Sequence, residues 1–178
     1  MRLAFLTSLC CALATPAMAQ VVQGPVTSSG LYAFSANSTG DTTTPTDLGG
    51  RSYDVSAAKA ASVLISDGRY AEADAMLTDS IARSANRQTR FLKAVASLGV
   101  GDAETAKRYF RTLVKMGHYR HVGAVSGLAI AEIRLGNADT ARDLLRNLRS
   151  QQEKCGMDCS RAQSLQQAIG AVEKAFVS

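Results

Sequence analysis

The sequence predicts an all-α protein: a short α-solenoid of three helix pairs closed by a C-terminal capping helix, preceded by a signal peptide and a disordered leader. Three observations carry this expectation. The first is an internal repeat. Gly101-Asp102-Ala103-Glu104-Thr105-Ala106-Lys107-Arg108-Tyr109-Phe110 has one relative upstream, Gly68 to Leu77, and another downstream, Gly136 to Leu145. In each, an alanine follows the glycine by five positions (Ala73, Ala106, Ala141) and a large apolar residue comes four later (Leu77, Phe110, Leu145). The glycines stand 33 and 35 residues apart, and a period of about 34 residues belongs to stacked helix–turn–helix units. The second observation is an abrupt change at Asp54, where proline disappears, alanine becomes frequent and apolar residues recur at helical spacing. The third is the apolar run at the N-terminus.

Met1 to Ala19 reads as an address rather than as fold. Arg2 supplies a positive n-region, Leu3 to Ala14 an apolar h-region, and Pro16-Ala17-Met18-Ala19 the small-x-small pattern of a signal peptidase site, with cleavage expected after Ala19. The run is too short to span a bilayer as a helix. Export to the periplasm is the expectation, with secretion as the alternative. Gln20 to Tyr53 is rich in Ser, Thr, Gly and Asp and holds Pro25 and Pro45. Such a stretch buries too little apolar surface to offset the entropy of ordering it, so it reads as a flexible leader.

The folded part runs from Asp54 to Ser178. Val55, Ala58, Ala61, Leu64 and Ile65 mark a first helix closed at Asp67-Gly68, glycine being suited to the left-handed turn that ends a helix. Tyr70 to Arg83 is the second. Arg87 to Leu98 and Ala103 to Met116 form the next pair, and Val122 to Leu135 and Ala138 to Gln152 the third. Ala162, Leu165, Ile169, Val172 and Phe176 then fall on one stripe of a seventh helix whose remaining surface is polar, as the exposed end of a repeat stack requires.

Cleavage would alter the charge and cysteine balance. Of 20 basic residues Arg2 would leave, so that 19 face 15 acidic ones for a net charge of +4. Cys10 and Cys11 would leave too, and only Cys155 and Cys159 remain, which an oxidising compartment tends to bridge. A disulfide closing so small a loop contributes about 2 kcal/mol on the chain-entropy model. Two free thiols are the alternative. A metal or redox role is a weaker one, since the spacing is C-x3-C with no histidine nearby in sequence.

The repeat resembles the tetratricopeptide repeat family, over about Asp54 to Gln152, or through Phe176 with the cap. The resemblance implies a right-handed stack in which Gly68, Gly101 and Gly136 turn the chain within each pair. Ala61, Ala94 and Ala129 of the first helices would then face Ala73, Ala106 and Ala141 of the second. Two features depart from the family pattern: tryptophan is absent, and the proline that often closes a repeat is missing, with His118 at that place in the second repeat.

No catalytic constellation, cofactor motif or metal-ligand set stands out, and the expected function is a non-enzymatic adaptor for a protein or peptide partner. The resemblance implies that first helices line a concave groove. The residues that would face it are Ala58, Phe91 and Ser126, then Ser62, Val95 and Ile130, then Ile65, Leu98 and Ile133, with Gln88 and Arg134 at the edges. Phe91, Val95, Leu98, Ile130 and Ile133 would be its apolar anchors. Packing against neighbouring repeats or the leader is the alternative reading of these positions. Stacking would also align Lys107, Arg111 and Lys115 with Arg142, Arg146 and Arg149 as a convex basic stripe, able to meet anionic envelope lipids or polymers. Export argues against nucleic acid as a partner. His118-Tyr119-Arg120-His121, between repeats, reads as a solvated loop, with partner contact as the alternative.

Overall fold

The computed structural model describes residues 51–83, 86–156 and 159–178. The expected signal peptide and nearly all of the expected leader lie outside them. Among the described residues there are seven helices and no strand: α1 (Arg51–Ser66), α2 (Tyr70–Arg83), α3 (Arg87–Gly99), α4 (Ala103–Met116), α5 (Val122–Arg134), α6 (Ala138–Cys155) and α7 (Ala162–Phe176). The order and number follow the apolar periodicity. Two ends differ from expectation by three residues, and the C-terminal ends of α3 and α5 by one. Helix α1 begins at Arg51, inside the stretch assigned to the leader, because no glycine or proline separates Gly50 from Asp54. Helix α6 runs three residues past Gln152, since its first breaker is Gly156, at φ +67°.

The repeated glycines close three helices in the same way. Gly68, Gly101 and Gly136 have φ of +76°, +91° and +79°. After each of them the next N–H reaches back five residues: Arg69 N to Leu64 O at 2.8 Å, Asp102 N to Ser97 O at 2.9 Å, and Asn137 N to Glu132 O at 2.8 Å. This is the Schellman closure, which satisfies carbonyls that a helix end leaves bare and needs a left-handed residue to do so. Three helices start on side-chain caps, the first being α3, where Asn86 Oδ1 accepts from Thr89 N at 2.8 Å. Asp102 Oδ1 accepts from Thr105 N at 2.9 Å to start α4, and His121 Nδ1 accepts from Ala124 N at 3.1 Å to start α5.

Each helix packs on the next along the chain, and the odd-numbered helices also touch in series, α1 with α3, α3 with α5, and α5 with α7. The alanines singled out by the repeat are all fully buried: Ala61, Ala73, Ala94, Ala106, Ala129 and Ala141 expose none of their surface. Small side chains at these positions let helix axes approach toward the short end of the usual range of about 8–10 Å. Leu77, Phe110 and Leu145 are buried beside them. Phe110 fits because the residue opposite is Gly127, where any Cβ would fall within contact of the ring. Helices α3 and α5 are enclosed all round, with Phe91 to Leu98 and Ala124 to Glu132 buried without a break. Helix α7 lies against α5 and α6, buries Leu165, Ala168, Ile169 and Val172, and leaves Gln163, Gln166, Gln167 and Lys174 exposed.

Cys155 ends α6, and its sulfur stands at disulfide distance from that of Cys159, with the two Cα atoms 5.5 Å apart. The bridge ties the end of α6 to the segment leading into α7.

The fully buried alanines make a sharp prediction. Ala106→Leu should destabilise the protein by about 1–3 kcal/mol through overpacking, read as a lowered midpoint in urea unfolding. Ala75→Leu, on the exposed side of α2, should stay within about 0.5 kcal/mol of the parent.

Candidate partner-binding surface

Burial rearranges the residues that the sequence marks for binding. Phe91, Val95, Leu98 and Ile130 expose 3%, 4%, 0% and 8% of their surface. Phe91 sits edge-on to Phe110, ring centroids 6.0 Å apart, and 5.0 Å from the His121 ring. Ala58 and Ser62 are half-buried, and Ser126 and Ile65 are buried. The expected apolar groove is thus taken up by the core: α3 and α5 each have neighbours on both sides in the odd-numbered series as well as the helices before and after them in the chain. Of the expected contact residues, Gln88 and Arg134 are exposed, and Ile133, like Ala58 and Ser62, is half-buried. Arg134 is itself engaged, donating from Nη1 to the Leu98 carbonyl at the end of α3.

The expected basic stripe carries ion pairs along most of its length, and Arg111, Arg142, Arg146 and Arg149 keep more than half of their side chains exposed. Positions six and ten residues after each repeat glycine are Asp74 and Thr78, Lys107 and Arg111, and Arg142 and Arg146. On α2 and α4 they face the first helix of the next pair. Between α2 and α3, Lys93 Nζ lies 2.8 Å from Asp74 Oδ2 and donates to Thr78 Oγ1 at 2.6 Å, while Ser97 Oγ donates to Asp74 Oδ1 at 2.7 Å. Between α4 and α5, Glu132 is 2% exposed and takes Lys107 Nζ at 3.0 Å, Arg111 Nη2 at 3.4 Å and Asn137 Nδ2 at 2.7 Å. Between α6 and α7, Arg149 pairs with Glu173 at 2.7 Å. Arg142 pairs with Asp139 and Arg146 with Asp143 along α6, and the Arg142 guanidinium lies 5.9 Å over the Phe176 ring. Lys115 is the one stripe member that forms no ion pair among the described residues. Each of these three junctions therefore carries a charge pair, and five of the six stripe cations share four carboxylates.

The ladder could have been noticed in the sequence. Lys93 interrupts the run Phe91 to Leu98, and Glu132 ends the run Ala124 to Ala131. A charge inside an apolar helical run needs a partner, because burying it alone is costly. Burial acting alone would push the Glu132 pKa up. The hydrogen bonds from Lys107 and Asn137, the charge of Lys107 and the bond from Arg111 outweigh it and hold the carboxyl below the usual glutamate value.

Four arginines without an ion pair among the described residues lie along the edge where the helix pairs join. There the N-terminus of α3, the C-terminus of α4, the segment Gly117 to His121 and the approach to α7 meet. Arg90 Nη1 donates to Met116 Sδ at 3.8 Å. Gln151 Nε2 on α6 donates to the Tyr119 carbonyl at 2.9 Å, and Arg161 Nη1 to the Arg120 carbonyl at 3.4 Å. Burial lowers the His121 pKa, and Arg87 close by lowers it further. Among the described residues Arg87, Arg90, Arg120 and Arg161 form no ion pair. Tyr119 and Met116 are 47% and 46% exposed between them. Tyrosine, methionine and arginine are the residue types enriched at protein interfaces.

This edge also holds the only non-glycine residues with positive φ among those described, His118 at +45° and Tyr119 at +63°. Helix α4 closes on them with the same five-residue reach, Tyr119 N to Val114 O at 3.1 Å. Histidine and tyrosine here take the conformation that glycine takes in the three repeated turns, at a cost of about 1–2 kcal/mol per residue.

Among the described residues no three His, Cys, Asp or Glu side chains are placed to share a metal ion, and no helix is long and apolar enough to cross a membrane. The chain matches no family model, no curated protein and no solved structure.

The pairing at Glu132 sets up a pH-dependent prediction. Glu132→Gln should cost about 2 kcal/mol at neutral pH, below the usual value for a buried pair because Arg111 is half-exposed. The native carboxyl holds its proton less tightly than the unfolded one, so its contribution is complete above the unfolded glutamate pKa of about 4.3 and drains away as pH falls through the folded value. Urea unfolding of parent and variant should therefore differ most at neutral pH and converge in acid.

Proposed function

We propose that this protein is an exported, non-enzymatic scaffold of tetratricopeptide type that binds a protein or peptide partner, in envelope assembly, secretion or pilus-type machinery of a Gram-negative bacterium. The export reading rests on the n-region, h-region and small-x-small pattern of Met1 to Ala19. The repeat reading draws support from three like glycine closures at the repeat period and from six fully buried alanines.

The observation that carries the binding reading is the edge around Tyr119. An exposed aromatic ring and an exposed thioether stand on the edge that also holds four arginines with no ion pair among the described residues, on a backbone held in a costly conformation. Strained residues persist where the surroundings over-determine them, and they concentrate at functional sites. Partner contact is accordingly assigned to this edge rather than to Phe91, Val95, Leu98 and Ile130, which would have to leave the core to bind. The alternative of a convex stripe on anionic lipid or polymer has less support, because Arg142, Arg146 and Arg149 already pair with carboxylates.

Site-specific cross-linking tests the proposal. A photo-reactive residue replacing Tyr119, compared with one replacing the exposed Thr112 on α4, should capture a discrete partner from envelope preparations at position 119 alone. Equal capture at both positions, or none at either, would remove the assignment.

A further inference from the structure

The chemistry of the Tyr119 edge narrows the partner, resting on the scaffold reading above. We propose that the edge binds an acidic peptide segment, with Arg87, Arg90, Arg120 and Arg161 meeting its carboxylates and Tyr119 and Met116 packing on an apolar residue between them.

Elsewhere in the described chain, four cations that face a neighbouring helix have found carboxylates, Lys93 on Asp74, Lys107 and Arg111 on Glu132, and Arg149 on Glu173, while Arg134 takes the Leu98 carbonyl. The edge collects arginines from α3, from the segment before α5 and from the residue before α7, and none has an ion pair among the described residues. Like charges held together without counter-charge repel, and an anionic ligand relieves that repulsion. Guanidinium is planar and offers paired donors, so it matches carboxylates in particular.

A peptide fits this surface better than a lipid face does. The arginines surround an aromatic and a thioether, which provide an apolar contact that a headgroup layer would not use at its surface. The α6 arginines each have a carboxylate at hand in Asp139, Asp143 or Glu173, whereas the edge arginines have none among the described residues. The backbone is also set in advance. The Tyr119 carbonyl is held by Gln151 and its N–H by Val114 O, so the ring projects from a fixed turn while 47% exposed. Ordering costs that a flexible loop would meet on binding are already met in the folded protein.

The test uses the mature full-length chain and a fluorescein-labelled peptide of Asp and Glu around a single Phe, read by fluorescence anisotropy. Binding should weaken steeply with salt. Arg120→Gln/Arg161→Gln and, separately, Arg87→Gln should weaken it by about tenfold or more, the scale of lost charge-assisted hydrogen bonds. Arg142→Gln/Arg146→Gln should leave it unchanged. Tyr119→Ala should lower affinity, and so should replacing the peptide's Phe by Ala. His118→Gly should raise the urea midpoint by relieving strain, yet weaken peptide binding because the turn becomes freer. The proposal is overturned by equal binding of an Asn/Gln version of the peptide, by equal loss in the α6 variant, or by binding to phosphatidylglycerol vesicles in place of the peptide. A discrete partner cross-linked at position 119 without any peptide binding would also overturn it, while leaving the scaffold reading standing.

Discussion

Close packing at six alanines is the constraint on which the rest of this structure depends. Ala61, Ala73, Ala94, Ala106, Ala129 and Ala141 have no exposed surface, and a larger side chain at any of them would push helices apart. The glycine closures serve the same end. They turn the chain sharply enough for α2 to fold back on α1, α4 on α3 and α6 on α5. With the helices this close, Phe110 can be accommodated only where Gly127 leaves room for its ring.

Apolar packing of alanine and leucine along near-identical units does little to distinguish one register from another. The polar ladder supplies that distinction. Asp74 with Lys93 and Ser97, Lys107 and Arg111 with Glu132, and Arg149 with Glu173 place a different charge arrangement at each junction. The polarity reverses, acid leading at the first junction and base at the next two. A slipped or exchanged unit would bury a charge without its partner, which costs more than the native pair contributes. The charges at these junctions are engaged within the fold, and Arg87, Arg90, Arg120 and Arg161, along the edge where the pairs join, form no ion pair among the described residues.

Helices α3 and α5 show how little of the surface is left for binding on the inner side. A helix enclosed on every side reads as apolar all round, and Phe91 to Leu98 and Ala124 to Ala131 do so apart from small residues and Lys93. The seven-helix order and most helix ends were legible in the sequence, because periodicity, glycine and capping residues act locally. The edge was legible only as the tetrapeptide His118 to His121. Arg87, Arg90, Met116 and Arg161 come to it from three other segments, and no local pattern announces such a meeting.

The sequence by itself determined the helices, their turns and the small residues at which they pack, since these follow from backbone conformation and side-chain size. Only the tertiary structure decided which charged residues were consumed within the fold and which were left over. Stripe residues such as Lys107 and edge residues such as Arg120 look alike in sequence. Glu132 distinguishes them, by standing 3.0 Å from the former after the chain has folded. Pairing and burial are properties of distances across the fold, and they put Phe91 in the core while Tyr119 stays exposed.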